Sequence, residues 1–282
     1  MHHVRKDRAK EIGEASLIPD FTIVLGVDQK HLEQLRIVWP TWKRHKPSTV
    51  LNRRIVVFFD GCDLDTLDDE QALKIELGEM LGTERLIIVE WPLAGVDYGK
   101  GETKWDSPQR YKMLAGFMHV AAKYCSTPYF LKIDVDAIAT GMDDWIDPEW
   151  FVENPAIVGP AFSYTKPPMQ MLDLDRWAQR YGLFPETEPL NLIPEPGASL
   201  LRHKRIGGWC NFFRTDFTKT VAEHCERTIG PGLMAAPSLD GLLFYAAKRM
   251  NLPIRIIHPK RLGWDVRHTM SNIAEAAGKA LA

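Results

Sequence analysis

Two carboxylates one residue apart, Asp134 and Asp136, directly follow the apolar run Tyr129–Ile133. Two negative charges placed this close are unfavourable unless a cation neutralises them. Hard oxygen ligands of this kind suit Mg²⁺ or Mn²⁺, and such ions are usually shared with substrate phosphates. The pair therefore predicts a divalent-cation site, although an exposed, solvated acidic turn would give the same pattern.

Predicted strands place this pair at the edge of a sheet. Short apolar runs predict strands over residues 21–27, 54–59, 85–89 and 129–133, and helical spacing predicts helices over 31–45, 65–81 and 108–124. This alternation predicts an α/β fold with a parallel sheet, in which ligands bind beyond the carboxyl ends of the strands. Asp28 and Asp60 fall just beyond two such ends, so they are candidate binding residues.

The second half of the chain has a different pattern. It predicts strands over 156–159, 209–214 and 253–258, helices over 169–181, 216–228 and 238–250, an irregular Pro- and Glu-rich segment over 184–196, and an amphipathic or frayed helix over 271–282. A Gly-rich charged loop is expected over 92–107. No internal repeat is visible, so we expect one compact unit.

The order of these features resembles that of the GT-A glycosyltransferases. The shared features are the N-terminal βαβ half, the apolar strand ending in Asp134-Val135-Asp136, the later Gly207-Gly208-Trp209 turn, the acidic helix start at Asp240 and the late His268. The resemblance spans residues 21 to about 268. It implies a Rossmann-like, mixed, mostly parallel central sheet flanked by helices.

The same resemblance implies the activity and its division along the chain. A single domain would bind a nucleotide sugar through residues 20–136 and an acceptor through residues 137–270, with 271–282 as a terminal helix or tail. The reaction would move a sugar from a nucleotide-diphosphate sugar, with a UDP-sugar favoured, to an acceptor hydroxyl of unknown identity. Mn²⁺ or Mg²⁺ would assist, and inversion or retention stays open.

Family roles transfer to matching positions only. Asp136 would ligate the metal directly, and Asp134 would also reach the ribose or a metal-bound water. His268 would complete the metal site, with His258 as its competitor, since neutral imidazole is a reasonable third ligand.

The later motifs would serve the acceptor side. Gly207, Gly208 and Trp209 would let the backbone approach donor and acceptor, because glycine permits close contact. Asp240 would be the general base of an inverting enzyme, although Leu239 stands where many members carry a second acid. The basic run 202–205 would hold an anionic acceptor or leaving phosphate, or else be a solvated loop.

The nucleotide side is less specific. Asp60 could accept a hydrogen bond from a base, and Asp28, with Gly26 and Val27, could bracket the ring. Arg110 could pair with pyrophosphate through a charge-assisted bond, and Lys112 follows it on the same helix. A solvated helix face explains Lys112 equally well.

Composition limits the partners and the compartment. The net charge of -2 favours neither nucleic acid nor an anionic membrane. The four cysteines form no CxxC pair, as is usual for reduced thiols in the cytosol. Residues 1–18 lack the apolar core of a signal peptide, and no stretch approaches the ~20 apolar residues of a membrane span. We expect a cytoplasmic protein with no transmembrane segment.

Other classes fit less well. A phosphotransferase of the haloacid dehalogenase kind carries D-x-D on its first strand, followed two places on by Thr or Val, where this chain has Ile138. A nucleotidyltransferase normally has a Gly-rich signature after its first strand, which residues 27–30 lack. A nucleotide-sugar-binding or scaffold protein that has lost turnover stays open, and Leu239 supports it.

Overall fold

The computed structural model describes residues 18–27, 29–59, 67–90, 121, 123–163, 204–206, 210–229, 239–258, 261–267 and 270–282. The strands are β1 (Phe21–Val27), β2 (Ile55–Phe59), β3 (Leu86–Glu90), β4 (Tyr129–Ile133), β5 (Ala137–Ala139), β6 (Ile157–Ser163), β7 (Lys204–Ile206), β8 (Cys210–Arg214), β9 (Ile254–Ile257) and β10 (Trp264–Val266). The helices are α1 (Gln29–His45), α2 (Pro47–Val50), α3 (Leu67–Leu81), α4 (Thr215–Ile229), α5 (Leu239–Arg249) and α6 (Met270–Leu281).

The central sheet of the described chain has eight strands in the order β3-β2-β1-β4-β8-β6-β7, with β9 paired to β6. Strands β3, β2, β1 and β4 pair in parallel, and β9 is parallel to β6. Strand β8 runs antiparallel to both β4 and β6, and β7 is antiparallel to β6. The predicted fold class, α/β with a mixed, mostly parallel sheet, is therefore confirmed.

The central strands are mostly apolar because both of their faces are covered. Successive side chains point to opposite faces, so Val24, Val56 and Phe130 join a core with α4 and α5. Their neighbours Ile23, Ile55 and Leu131 join a second core with α1, α3 and α6. We call these two sides the α4 face and the α1 face of the sheet.

Helix α6 packs on α1 rather than fraying. Its buried Ile273 and Ala277 lie one turn apart and belong to the core of the α1 face. The ring of His45 at the end of α1 reaches back to it, with Nε2 2.6 Å from the carbonyl oxygen of Ala280. The amphipathic helix predicted over 271–282 is thus confirmed.

Three short strands were not predicted. Strands β5 and β10 pair antiparallel in a separate two-stranded sheet, and β10 follows the segment 253–258 that was expected to be the last strand. Strand β7 includes Lys204 and Arg205, so this part of the basic run is sheet and not a solvated loop. Three residues are too few to show a periodicity.

Several predicted segments lie outside the described residues: the loop over 92–107, the helix over 169–181 and the irregular segment over 184–196. Of the helix predicted over 108–124, residues 121, 123 and 124 are described and are helical. The division of the chain into a donor half and an acceptor half stays a prediction. No helix in the described ranges combines the length and the apolar character that crossing a bilayer requires.

Candidate functional site

The acidic pair lies on a tight turn at the carboxyl end of β4. The N–H of Ala137 donates to the carbonyl of Asp134 at 2.9 Å, which closes the turn. Val135, between the two carboxylates, is 5% exposed and packs into the core of the α1 face, whereas Asp134 and Asp136 are partly exposed. The buried valine therefore fixes the turn and leaves both acids at the rim of the sheet.

Lys132 is an ion-pair partner of Asp134 that the sequence reasoning did not single out. It lies on β4, two residues before Asp134, and its ammonium donates to Oδ1 of that carboxylate. The side chains are 19% and 32% exposed, respectively. The protein itself therefore places a positive charge against one of the two acids.

The second sheet ties down the backbone of Asp136. Val266 of β10 pairs with Ala137 of β5, and the next N–H, from Arg267, donates to the carbonyl of Asp136 at 3.2 Å. The predicted third ligand, His268, follows Arg267 in the sequence but lies outside the described residues. Strand β10 therefore ends beside the acidic turn.

The competing histidine is at a different place on the same edge. His258 follows β9, which is parallel to β6 and separated from β4 by β6 and β8. With a strand spacing of about 4.8 Å, three steps place its backbone roughly 14 Å from the end of β4. Its side chain is exposed.

Helix α1 supports the acidic turn from the α1 face. The indole N–H of Trp42 donates to the carbonyl of Ala137 at 2.6 Å, and the N–H of Ala139 donates to Oγ1 of Thr41 at 3.0 Å. Both side chains are fully buried. Two adjacent residues of one helix thus hold the strand that follows Asp136.

A buried lysine and a glycine with a positive φ stabilise the turn before β10. The N–H of Thr140 donates to the carbonyl of Gly263 at 2.7 Å, and Lys46, fully buried, donates to the carbonyl of Met142. Burial lowers the pKa of Lys46, and nearby Asp143 partly opposes that effect. Gly263 has a φ of 60°, in the left-handed region that glycine tolerates best.

Strand β8 borders the other side of the acidic turn. Cys210 pairs with Ile133 and Asn211 pairs with Lys132. Burial raises the pKa of the Cys210 thiol, and the charge of Asp134 raises it further, so this thiol stays neutral. Asn211 is fully buried, and an asparagine within an aromatic strand carries no sequence signal that separates structure from binding.

Gly26 on β1 leaves open space beside the candidate site. Gly26 is exposed within an otherwise buried strand, and a Cβ built on it would meet nothing within 4 Å. It lies two residues after Val24, so it faces the α4 side together with Lys132 and Asn211. Because Leu25 pairs with Ile133, Gly26 is level with Asp134. Open space therefore adjoins the acidic pair.

The remaining predicted site residues cannot be placed relative to this turn. Asp240 is the second residue of α5, at the helix start where it was expected, but the position of its side chain is not described. The others lie outside the described residues: Asp28, Asp60, Arg110, Lys112, Gly207, Gly208, Trp209 and His268. Among the described side chains, no three His, Cys, Asp or Glu residues cluster as a metal site.

Sequence comparison gives no family: no protein-family model and no curated protein matches. Core-mannan synthase A from Aspergillus fumigatus, solved in a Mn/GDP form, is similar with a TM-score of 0.49 and 13% identity, over 89% of this chain and 76% of that chain. Mouse xyloside xylosyltransferase 1, in an apo form, is similar with a TM-score of 0.47 and 8% identity, over 84% and 85%. At this level of similarity, the activity of this chain must be inferred from its own residues.

Proposed function

We propose that the protein is a metal-assisted glycosyltransferase that moves a sugar from a nucleotide-diphosphate sugar to an acceptor hydroxyl. The observation that carries this proposal is the acidic turn: Asp134 and Asp136 stand partly exposed where ligands of a parallel sheet bind. The turn is fixed by β4, by β10 and by the side chains of α1. A merely solvated acidic loop would not need such support.

The donor set suits a hard divalent cation. Asp134 and Asp136 supply carboxylate oxygens, which Mn²⁺ and Mg²⁺ prefer. A cation bound there would neutralise the charge that builds on the departing nucleoside diphosphate. His268 is the better candidate for a further ligand, because the hydrogen bond from the N–H of Arg267 to the carbonyl of Asp136 brings the preceding residue to the turn. His258 follows a strand that is three strand spacings from β4.

Residues of the chain would bind the donor and accept the proton of the acceptor. Lys132 would hold a diphosphate oxygen by a charge-assisted hydrogen bond when the cation competes for Asp134. Asp240, in the first turn of α5, would accept the proton of the acceptor hydroxyl. The open space over Gly26 would admit the donor ring. A UDP-sugar is the favoured donor. The proposed compartment is the cytoplasm.

Ligand-induced stabilisation tests the proposal. Thermal unfolding is measured with UDP, GDP, UDP-glucose and GDP-mannose, each with and without Mn²⁺. At a hundredfold excess over the dissociation constant, binding adds about 2.7 kcal/mol to the free energy of unfolding. We expect Mn²⁺-dependent stabilisation by one nucleotide family, and release of the nucleoside diphosphate when acceptors are added.

Matched substitutions locate the site. Asp136→Asn is expected to abolish the Mn²⁺-dependent part of the stabilisation. Asp216→Asn is the control. It makes the same change beside Arg214, a residue that pairs with Tyr129 at the opposite end of β4, and should leave the Mn²⁺-dependent stabilisation intact. Full Mn²⁺-dependent stabilisation of Asp136→Asn would contradict the ligand assignment. Binding without turnover across a broad acceptor panel would instead favour the silent nucleotide-sugar-binding protein that Leu239 suggests.

A further inference from the structure

Both polar side-chain atoms of Asn211 are buried without a partner, whereas the other described residues with such atoms, Arg85, Trp150, Thr215 and Trp264, have one each. It is 0% exposed, and within the part of the chain that the structure describes neither its Oδ1 nor its Nδ2 has a hydrogen-bond partner. Buried amides are nearly always paired, because leaving them unpaired costs their full desolvation energy. A residue of this kind calls for an explanation.

Other buried polar side chains on these strands and on the helix that supports them are paired. The hydroxyl of Thr22 on β1 donates to Oγ1 of Thr127 at 2.9 Å, since the Thr127 hydroxyl itself donates to the carbonyl of Tyr129. The hydroxyl of Thr41 donates to the carbonyl of Val38 at 2.7 Å. These two buried hydroxyls are paired, whereas the amide of Asn211, next to the candidate site, is not.

The position of Asn211 links it to the acidic turn. It pairs in register with Lys132, whose ammonium holds Asp134. Both side chains lie on the α4 face, since each is two residues from a member of that core, Phe213 or Phe130. Gly26, on the same face, leaves open space beside Asp134. The amide is thus buried on the same face as this space, with the strand of Lys132 between the two.

The chemistry of the amide restricts that ligand. A carboxamide offers two N–H donors and one acceptor oxygen, and all of them lack partners here. A phosphate has only acceptors at neutral pH and would leave Oδ1 unpaired. A hydroxyl both donates and accepts, so a pair of neighbouring hydroxyls satisfies the whole group. The charge of Lys132 suits an anion, and the amide of Asn211 suits a neutral polyol.

The order of strands decides which hydroxyls these are. Asp28 and Asp60, proposed to contact the nucleoside, follow β1 and β2, whereas β8 lies on the opposite side of β4. Strand spacing puts β8 about 14 Å from β2. We propose that Asn211 binds hydroxyl groups of the transferred sugar, beyond the diphosphate. This assignment rests on the proposed glycosyltransferase function.

Calorimetric titration in the absence of any acceptor tests it. The probes are UDP, GDP, UDP-glucose and GDP-mannose with Mn²⁺, measured on wild type, Asn211→Leu, Asn211→Asp and Thr22→Val. Leucine keeps the branched shape of asparagine with larger, apolar ends, and aspartate keeps the shape but loses the amide N–H donors. Thr22→Val is the control, since it removes a buried polar group that is already paired.

Both Asn211 variants are expected to bind the sugar nucleotide about tenfold or more weakly, while the matching nucleoside diphosphate binds as it does to wild type. Free Asn211→Leu should melt above wild type, because no unpaired amide is left buried. Thr22→Val should melt lower and keep its affinity for the sugar nucleotide.

Three results would overturn the assignment while leaving the function standing: unchanged affinity for the sugar nucleotide, equal losses for sugar nucleotide and nucleoside diphosphate, or a lower melting temperature of Asn211→Leu, which would mean that the amide is paired within the fold. A wild type that binds none of the four probes would overturn the proposed function, and the sugar assignment with it.

Discussion

Substituting Gly263 by alanine should destabilise the support of the acidic turn. Gly263 immediately precedes β10 and has a φ of 60°. A Cβ added there would lie 2.7 Å from the carbonyl oxygen of Thr140 and 2.8 Å from Nζ of Lys46. The lysine is a flexible side chain but is fully buried, and the Thr140 oxygen belongs to the backbone. The new methyl group can be accommodated only if the turn moves.

The magnitude follows from two contributions. A left-handed conformation costs an L-residue with a side chain about 1–2 kcal/mol, and relieving the two close contacts brings the total to roughly 2–4 kcal/mol. For a chain of this size, that lowers the melting temperature by roughly 3–7 °C. The displaced turn leads into β10, whose end binds the backbone of Asp136, so Mn²⁺-dependent stabilisation by nucleotides should fall as well.

A second glycine serves as the control. Gly278 lies within α6, and a Cβ there would meet nothing within 4 Å, so Gly278→Ala should raise the free energy of unfolding by about 0.5–1 kcal/mol. Both variants are compared by urea and thermal denaturation. A Gly263→Ala protein as stable as wild type would refute the described geometry of this turn.

Thr41→Val should lower the free energy of unfolding, measured in urea, by about 1–3 kcal/mol, because the buried N–H of Ala139 loses its acceptor. The substitution should also weaken the Mn²⁺-dependent stabilisation by nucleotides. If neither quantity changes, α1 does not position the acidic turn. Lys46→Met should remove a pH dependence of the free energy of unfolding. Burial lowers the pKa of Lys46 in the folded state, so at alkaline pH the unfolded chain binds more protons than the folded one. The stability of the wild type therefore rises as the pH approaches the ordinary lysine pKa of about 10.4. Parallel stability profiles of wild type and variant across alkaline pH would contradict this.

The long elements could be predicted because burial on both faces leaves a plain pattern. Strands β1 and β4 begin and end where the sequence predicts, since each is a mainly apolar run that ends at an aspartate. Strands β5 and β10 escaped prediction because three residues show no period, and their pairing depends on contacts between distant parts of the chain.

The acidic residues of the candidate site could be predicted from the sequence, but the position of Asn211 beside them could not. Asp134 and Asp136 are recognisable because two charges end an apolar strand. The ion pair with Lys132 could have been anticipated, because residues two apart on a predicted strand lie on one face. Asn211 needed the register with β4 and the knowledge that its amide is buried. Sequence spacing contains neither the register nor the burial.

The pairing of β5 with β10 has a consequence for the order in which the nascent protein takes shape. Domains fold as they are synthesised, from the N-terminal side. Once β9 has emerged, every described strand of the central sheet can pair. The segment that carries Asp136 must still wait for β10, so an incomplete chain could possess a finished sheet and an unanchored acidic turn. The candidate site is therefore expected to mature after the body of the protein, not with it.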